Sequence, residues 1–187
     1  WLNGESLGQH DGGFTPFEFE VTGKLKDRDN SLVVAIDSTR QKSGIPSVDF
    51  DWFNYGGLTR SVHLVNTEKT FIRHSRFWLN EKQELQVSIT LDGDKAADSA
   101  VEIKAPELGI NAKLSTDQNG HAKAVFPLTG FTAWSPEQPK LYEINVKVAN
   151  DQVNESIGLR RIEARDGKIY LNGKAIFLRG IALHEER

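Results

Sequence analysis

The chain contains no cysteine and no methionine among its 187 residues. Without cysteine, neither a disulfide framework nor a thiolate metal site is available. Methionine is missing even from position 1, where the chain opens on Trp1-Leu2-Asn3-Gly4. The expectation is therefore a processed or excised piece of a longer protein, cut at both ends through folded structure. Charge of one sign is also missing, since 23 Lys and Arg stand against 26 Asp and Glu for a net charge of -3. That balance gives no electrostatic case for nucleic acid or an anionic membrane as partner. No apolar run approaches the roughly 20 residues of a membrane-spanning helix, and no N-terminal signal sequence is visible. A soluble protein is expected, with the compartment (cytoplasmic, periplasmic or secreted) left open. His10, His63, His74 and His121 show no metal-ligand spacing, and there is neither a phosphate-binding glycine loop nor a nucleophile triad pattern. No metal and no cofactor is called for.

Long amphipathic helices are absent as well; what the chain has is strands. Phe17–Val21, Ser61–Val65, Leu85–Leu91 and Leu141–Val148 alternate apolar and polar residues, the period of a half-buried strand. Leu32–Ile36, Val101–Ile103 and Ala122–Phe126 add shorter runs. Asp29-Asn30, Asp92-Gly93-Asp94, Asn119-Gly120, Asn150-Asp151 and Asp166-Gly167 punctuate them as turns. Asn172-Gly173, between Ile169-Tyr170-Leu171 and Ala175-Ile176-Phe177-Leu178, is a two-residue type I′ hairpin signal. The fold class is all-β. An immunoglobulin-like sandwich of about 100 residues follows a shorter β segment too small for a free-standing two-sheet domain.

Four segments carry a more specific signal. They are Trp1-Leu2-Asn3-Gly4 through Gly12-Gly13-Phe14-Thr15-Pro16-Phe17; Asp51-Trp52-Phe53-Asn54-Tyr55-Gly56-Gly57-Leu58-Thr59-Arg60; Trp134-Ser135-Pro136-Glu137-Gln138-Pro139-Lys140-Leu141-Tyr142; and Gly158-Leu159-Arg160-Arg161-Ile162-Glu163 through Leu171-Asn172-Gly173-Lys174 to Phe177-Leu178-Arg179-Gly180-Ile181-Ala182-Leu183-His184-Glu185. In this order the chain resembles glycoside hydrolase family 2, the group of β-galactosidases and β-glucuronidases. The resemblance implies three regions. Residues 1–69 would be the C-terminal part of a jelly-roll sugar-binding domain, 70–163 the immunoglobulin-like domain, and 164–187 a hairpin and the first strand of a catalytic (β/α)₈ barrel. The rest of the barrel, about 250 residues in a typical case, would lie beyond Arg187.

Glycoside hydrolysis usually needs two carboxylates facing each other across the scissile bond. In the family both belong to later barrel strands, so this segment is expected to be a non-catalytic scaffold. Glu185 and Glu186 do not replace them, because neighbours on a strand point to opposite faces. The resemblance implies two substrate-binding residues of the complete enzyme. His184 would stand at the C-terminal end of the first barrel strand, the face where such barrels act. Asp51 would accept hydrogen bonds from sugar hydroxyls, directly or through a bound cation; turn capping is its plain alternative. Trp52, Phe53 and Tyr55 offer either a stacking platform or packing, and Arg60 a partner for a carboxylate between strands. The implied partners are a carbohydrate substrate, the barrel domain, and further copies of the chain joined through unpaired strand edges. A free-standing carbohydrate-binding module or an adhesion-type sandwich is the alternative class.

Overall fold

The computed structural model describes residues 1–13, 15–44, 47–49 and 56–182. The chain divides into two compact units, Trp1–Leu64 and Val65–Arg187.

In the second unit, seven strands form two antiparallel sheets. β1 (Thr70–Leu79), β2 (Leu85–Gly93) and β5 (His121–Phe126) make one sheet, in the order β1-β2-β5. β3 (Ala100–Ala105), β4 (Ile110–Ser115), β6 (Tyr142–Val148) and β7 (Asp151–Ile157) make the other, in the order β4-β3-β6-β7. This is an immunoglobulin-like sandwich. The alternation along Leu85–Leu91 places Leu85, Val87, Ile89 and Leu91 in the core and Gln86, Ser88 and Thr90 on the outer face. Val101 and Ile103 of β3 meet them from the opposite sheet together with Ile144 and Val146 of β6, within one continuous core. Each such fully buried aliphatic side chain contributes about 1.5–3 kcal/mol relative to an exposed one.

Local polar contacts close the sandwich. A register shift between Ile72 and His74 bends β1, and the Ile72 N–H donates to the Asp151 carboxylate at 2.8 Å. Farther along β1, the Ser75 hydroxyl donates to Glu155 of β7 at 2.9 Å. At the entry to β6, the Tyr142 hydroxyl accepts the Thr132 N–H at 2.7 Å, the arrangement of a tyrosine corner. Thr116, a buried polar residue, donates its hydroxyl to Ala96 O at 2.6 Å and accepts Ser99 N–H at 2.9 Å.

Beyond the sandwich, β8 (Ile162–Arg165), β9 (Lys168–Leu171) and β10 (Lys174–Ile176) form a three-stranded meander. Its two-residue turns are Asp166-Gly167, at φ 49° and 68°, and Asn172-Gly173, at φ 50° and 80°. Positive φ at both positions defines the type I′ turn that Asx-Gly favours, so both turn signals in the sequence have a direct structural counterpart.

The first unit holds the main departures from expectation. Phe17–Val21, Leu32–Ile36 and Ser61–Val65 form no strand ladder. The pairing there consists of the isolated bridges Leu2–Glu5 and Leu2–Leu32 among the described residues. Alternation marks a face suited to burial, but a ladder needs a second strand in register. Asn3-Gly4 is a turn with φ 55° and 88°, and the Asn3 side chain binds Lys24 O, Asn30 and Ser31 N–H. Conversely, β1, β4, β7 and β8 form where the sequence reading named no strand. β1 carries Phe77 and Trp78 on opposite faces, which hides its period, and β7 is a polar edge strand beside β6.

Candidate functional site

Asp51 and His184, the two expected substrate-binding residues, lie outside the described residues, as do Trp52, Phe53 and Tyr55. Arg60, expected to meet a carboxylate, instead donates to its neighbour Thr59 O at 3.3 Å and joins no ion pair among the described residues. The candidate site that the described residues assemble is a corner where the meander is fixed to the sandwich.

That corner is built on Trp134. Its N–H donates to Leu159 O at 2.8 Å, and Leu159 is almost fully buried in the sandwich core. Gly158 lies directly beneath the indole. A Cβ at Gly158 would stand 2.6, 2.8 and 3.0 Å from Trp134 Cδ1, Cγ and Cβ. The Arg160 guanidinium covers the indole at 5.2 Å from the ring centroid. Gly158 is thus the residue that lets backbone and indole approach closely.

Asn172 connects this corner to the hairpin. Its side-chain amide donates to Trp134 O at 2.9 Å. Its Oδ1 accepts Arg161 N–H at 3.0 Å, and its own N–H donates to Arg161 O at 2.9 Å. Asn is suited to both tasks, since it tolerates the left-handed conformation of the turn and carries a donor and an acceptor. Arg161 continues the chain of contacts to Glu81 O at 3.2 Å and to the Glu163 carboxylate at 3.0 Å. The Glu137 carboxyl is held below its usual range by hydrogen bonds from its own N–H and from Ser135, with a smaller attraction from Lys174 of β10. Lys140 is paired with Glu107, which raises the lysine pKa.

Immediately after the fixed hairpin the chain presents apolar side chains to solvent: Phe177, Leu178 and Ile181 are 83%, 69% and 93% exposed. The run from Arg179 to His184 reads in sequence as a buried strand with no partner in this chain; its last two residues lie outside the described residues, and Arg179 to Ala182 belong to no strand among the described residues. Chemically, this arrangement positions backbone and apolar surface rather than reacting groups. The sequence marks Trp134 as part of a segment that carries the family resemblance and Asn172 as a turn, but their contact spans 38 positions and has no local signature. Asn rather than Asp before Gly173, with a Trp-Ser-Pro corner upstream, is the one hint of it.

Comparison with known proteins agrees with this architecture. The family model described as glycosyl hydrolases family 2 matches residues 70–160. A β-galactosidase of Thermoanaerobacter pseudethanolicus is 30% identical over 207 aligned positions, covering 99% of this chain and 27% of the relative. The structure of Bifidobacterium dentium β-glucuronidase complexed with coumarin-3-O-glucuronide superposes with a TM-score of 0.77 at 21% identity, covering 94% of this chain and 36% of that one. A β-glucuronidase of an uncultured Clostridium sp. superposes with a TM-score of 0.70 at 25% identity, covering 95% and 32%. The chain spans less than a third of the length of the curated relatives it matches.

Proposed function

The chain belongs to glycosyl hydrolases family 2, and on that footing we propose that it is the non-catalytic β-scaffold of a larger glycosidase. The observation that carries this reading is the run of exposed apolar residues Phe177, Leu178 and Ile181, held at the end of a hairpin that Asn172 and Trp134 fix to the sandwich. Contiguous exposed apolar surface of this kind marks a place where another part of a protein docks. In this reading the partner is the enzyme's own catalytic barrel, joined at the end of the 164–187 region. Residues 70–163 form the spacer and residues 1–69 the remainder of a jelly-roll domain.

The whole enzyme, in this proposal, removes a terminal β-linked galactose or glucuronic acid. It would use two barrel carboxylates about 5 Å apart, with retention through a covalent glycosyl intermediate. Asp51 and His184 would contact sugar hydroxyls there, one from a loop over the barrel mouth and one from its first strand. The test is a paired assay of the 187-residue segment and the full-length protein on aryl β-galactoside, β-glucuronide and β-mannoside. A silent segment beside an active full-length protein is expected, and the preferred glycoside identifies the sugar. Turnover by the purified segment would overturn the scaffold reading.

A further inference from the structure

The outer face of the β1-β2-β5 sheet has a composition that scaffolding does not require. The register places His74, Thr90 and His121 in one cross-strand row and Arg76, Ser88 and Lys123 in the next. A third row holds Trp78, Gln86 and Val125. Adjacent strands lie about 4.8 Å apart, and alternate residues on one strand about 6.8 Å, so the three rows form a platform of about 10 by 14 Å. The residues between them on β2, Val87 and Ile89, are in the core, which turns all three rows outward. The first two rows line a shallow depression of about 250 Å³.

The platform is cationic in a chain whose net charge is -3. Arg76 and Lys123 flank Ser88, and neither joins an ion pair among the described residues. Neighbouring cations differ: Arg73, on the same strand as Arg76, pairs with Asp92 at 2.8 Å, and on the opposite sheet Lys113 meets Glu102 at 3.8 Å. No carboxylate lines the depression. Asp117, at the turn before β5, is within charge reach of His121 and Lys123. Its Oδ1, however, accepts the N–H groups of Asn119 and His121. Thr90 shares a hydrogen bond with His121 Nδ1 at 3.2 Å, which orients that imidazole. Trp78, 47% exposed, leaves an indole open beside the cations.

We propose that this face is a non-catalytic binding site for an anionic saccharide, with a carboxylate or sulfate held by Arg76 and Lys123 and a sugar ring against Trp78. A guanidinium forks onto two oxygens of either anion, the Ser88 and Thr90 hydroxyls exchange hydrogen bonds with sugar hydroxyls, and the indole face takes the apolar side of a pyranose. The depression is smaller than the roughly 300–1,000 Å³ of pockets that enclose a drug-sized ligand. It therefore accommodates one ring of a chain that continues along the surface. Two cations on a short platform do not track a nucleic-acid backbone, which needs an extended basic stripe. That the anion is carried on a sugar rests on the proposed function; the cationic face itself does not.

The experiment is calorimetric titration of the full-length protein with an oligogalacturonate, a sulfated oligosaccharide, a neutral oligosaccharide of equal length, inorganic phosphate and a DNA oligonucleotide. Binding of either anionic oligosaccharide at least tenfold tighter than the neutral one supports the proposal, and the tighter of the two names the anion. Arg76→Gln with Lys123→Gln is expected to weaken that binding tenfold or more, and Trp78→Ala severalfold, with aryl glycoside turnover and thermal midpoint unchanged. Equal affinity for neutral and anionic chains, an unaffected double variant, or phosphate or DNA binding as tightly as the saccharide would each overturn it. Turnover without saccharide binding at this face defeats this proposal alone; binding without any glycoside turnover defeats the proposed function alone.

Discussion

Replacing Gly158 with alanine tests the corner directly. A Cβ there would lie 2.6 Å from Trp134 Cδ1, 2.8 Å from Cγ and 3.0 Å from Cβ, whereas ordinary carbon contacts begin near 3.5 Å. The indole would have to retreat by about 0.5–1 Å to restore such contacts. These atoms are at the base of the side chain, so a rotamer change near the ring tip does not relieve the clash. The Trp134 backbone cannot follow cheaply, because its N–H is bonded to Leu159 and its carbonyl to Asn172. Overpacking of this kind costs about 1–3 kcal/mol, partly offset by about 0.4–1 kcal/mol from the smaller unfolded-state entropy of alanine. Gly158 is not among the residues with positive φ, so the backbone adds no penalty of its own. A net loss of about 1–2 kcal/mol is expected, or roughly 2–8 °C in the thermal midpoint at the roughly 2–4 °C per kcal/mol typical of chains this size. The assay is urea unfolding of Gly158→Ala alone and combined with Trp134→Ala. With the indole gone, the alanine should cost little, giving a coupling of about 1 kcal/mol or more. An unchanged or raised stability in Gly158→Ala, or an equal loss with and without the indole, would refute the packing argument.

Two further predictions rest on single groups. Tyr142→Phe removes the acceptor of the Thr132 N–H and should cost about 1–3 kcal/mol by leaving that donor unpaired, read from the urea midpoint; a loss near zero would mean water replaces the hydroxyl. Asp117 has its pKa lowered chiefly by the N–H groups of His121 and Asn119. The unfolded chain therefore takes up the proton first, and the stability this group supplies, full above its unfolded pKa of about 3.9, is lost as pH falls through its lower folded value. Asp117→Asn should flatten the decline in stability below about pH 4, and acid titrations of superimposable shape for the two proteins would contradict this.

Legibility in the sequence followed the range of the interaction. The Leu85–Leu91 alternation settles which face of β2 is core because strand side chains alternate with period 2. Asp166-Gly167 and Asn172-Gly173 announce their hairpins because the required φ values are intrinsic to those residue types. The family was legible in ordered local motifs, including Trp134–Tyr142 and Gly158–Glu163. β1 was not, because Phe77 and Trp78 present large apolar groups to both faces and a bulge interrupts the period. Phe17–Val21 and Leu32–Ile36 show the converse, with strand-like patterns but no ladder.

The sequence by itself determined the all-β class, the Asp166-Gly167 and Asn172-Gly173 turns, the inward face of the central strands and the kinship with family 2 glycosidases. Each depends on residues within a few positions of one another, or on a pattern that survives without coordinates. Only the tertiary structure decided that Trp134, Gly158 and Asn172 form one corner, and that His74, Arg76, Ser88, Thr90, His121 and Lys123 share a platform. Those groupings depend on strand order and register, which arise from the simultaneous burial of two sheets and are encoded in no single stretch of chain.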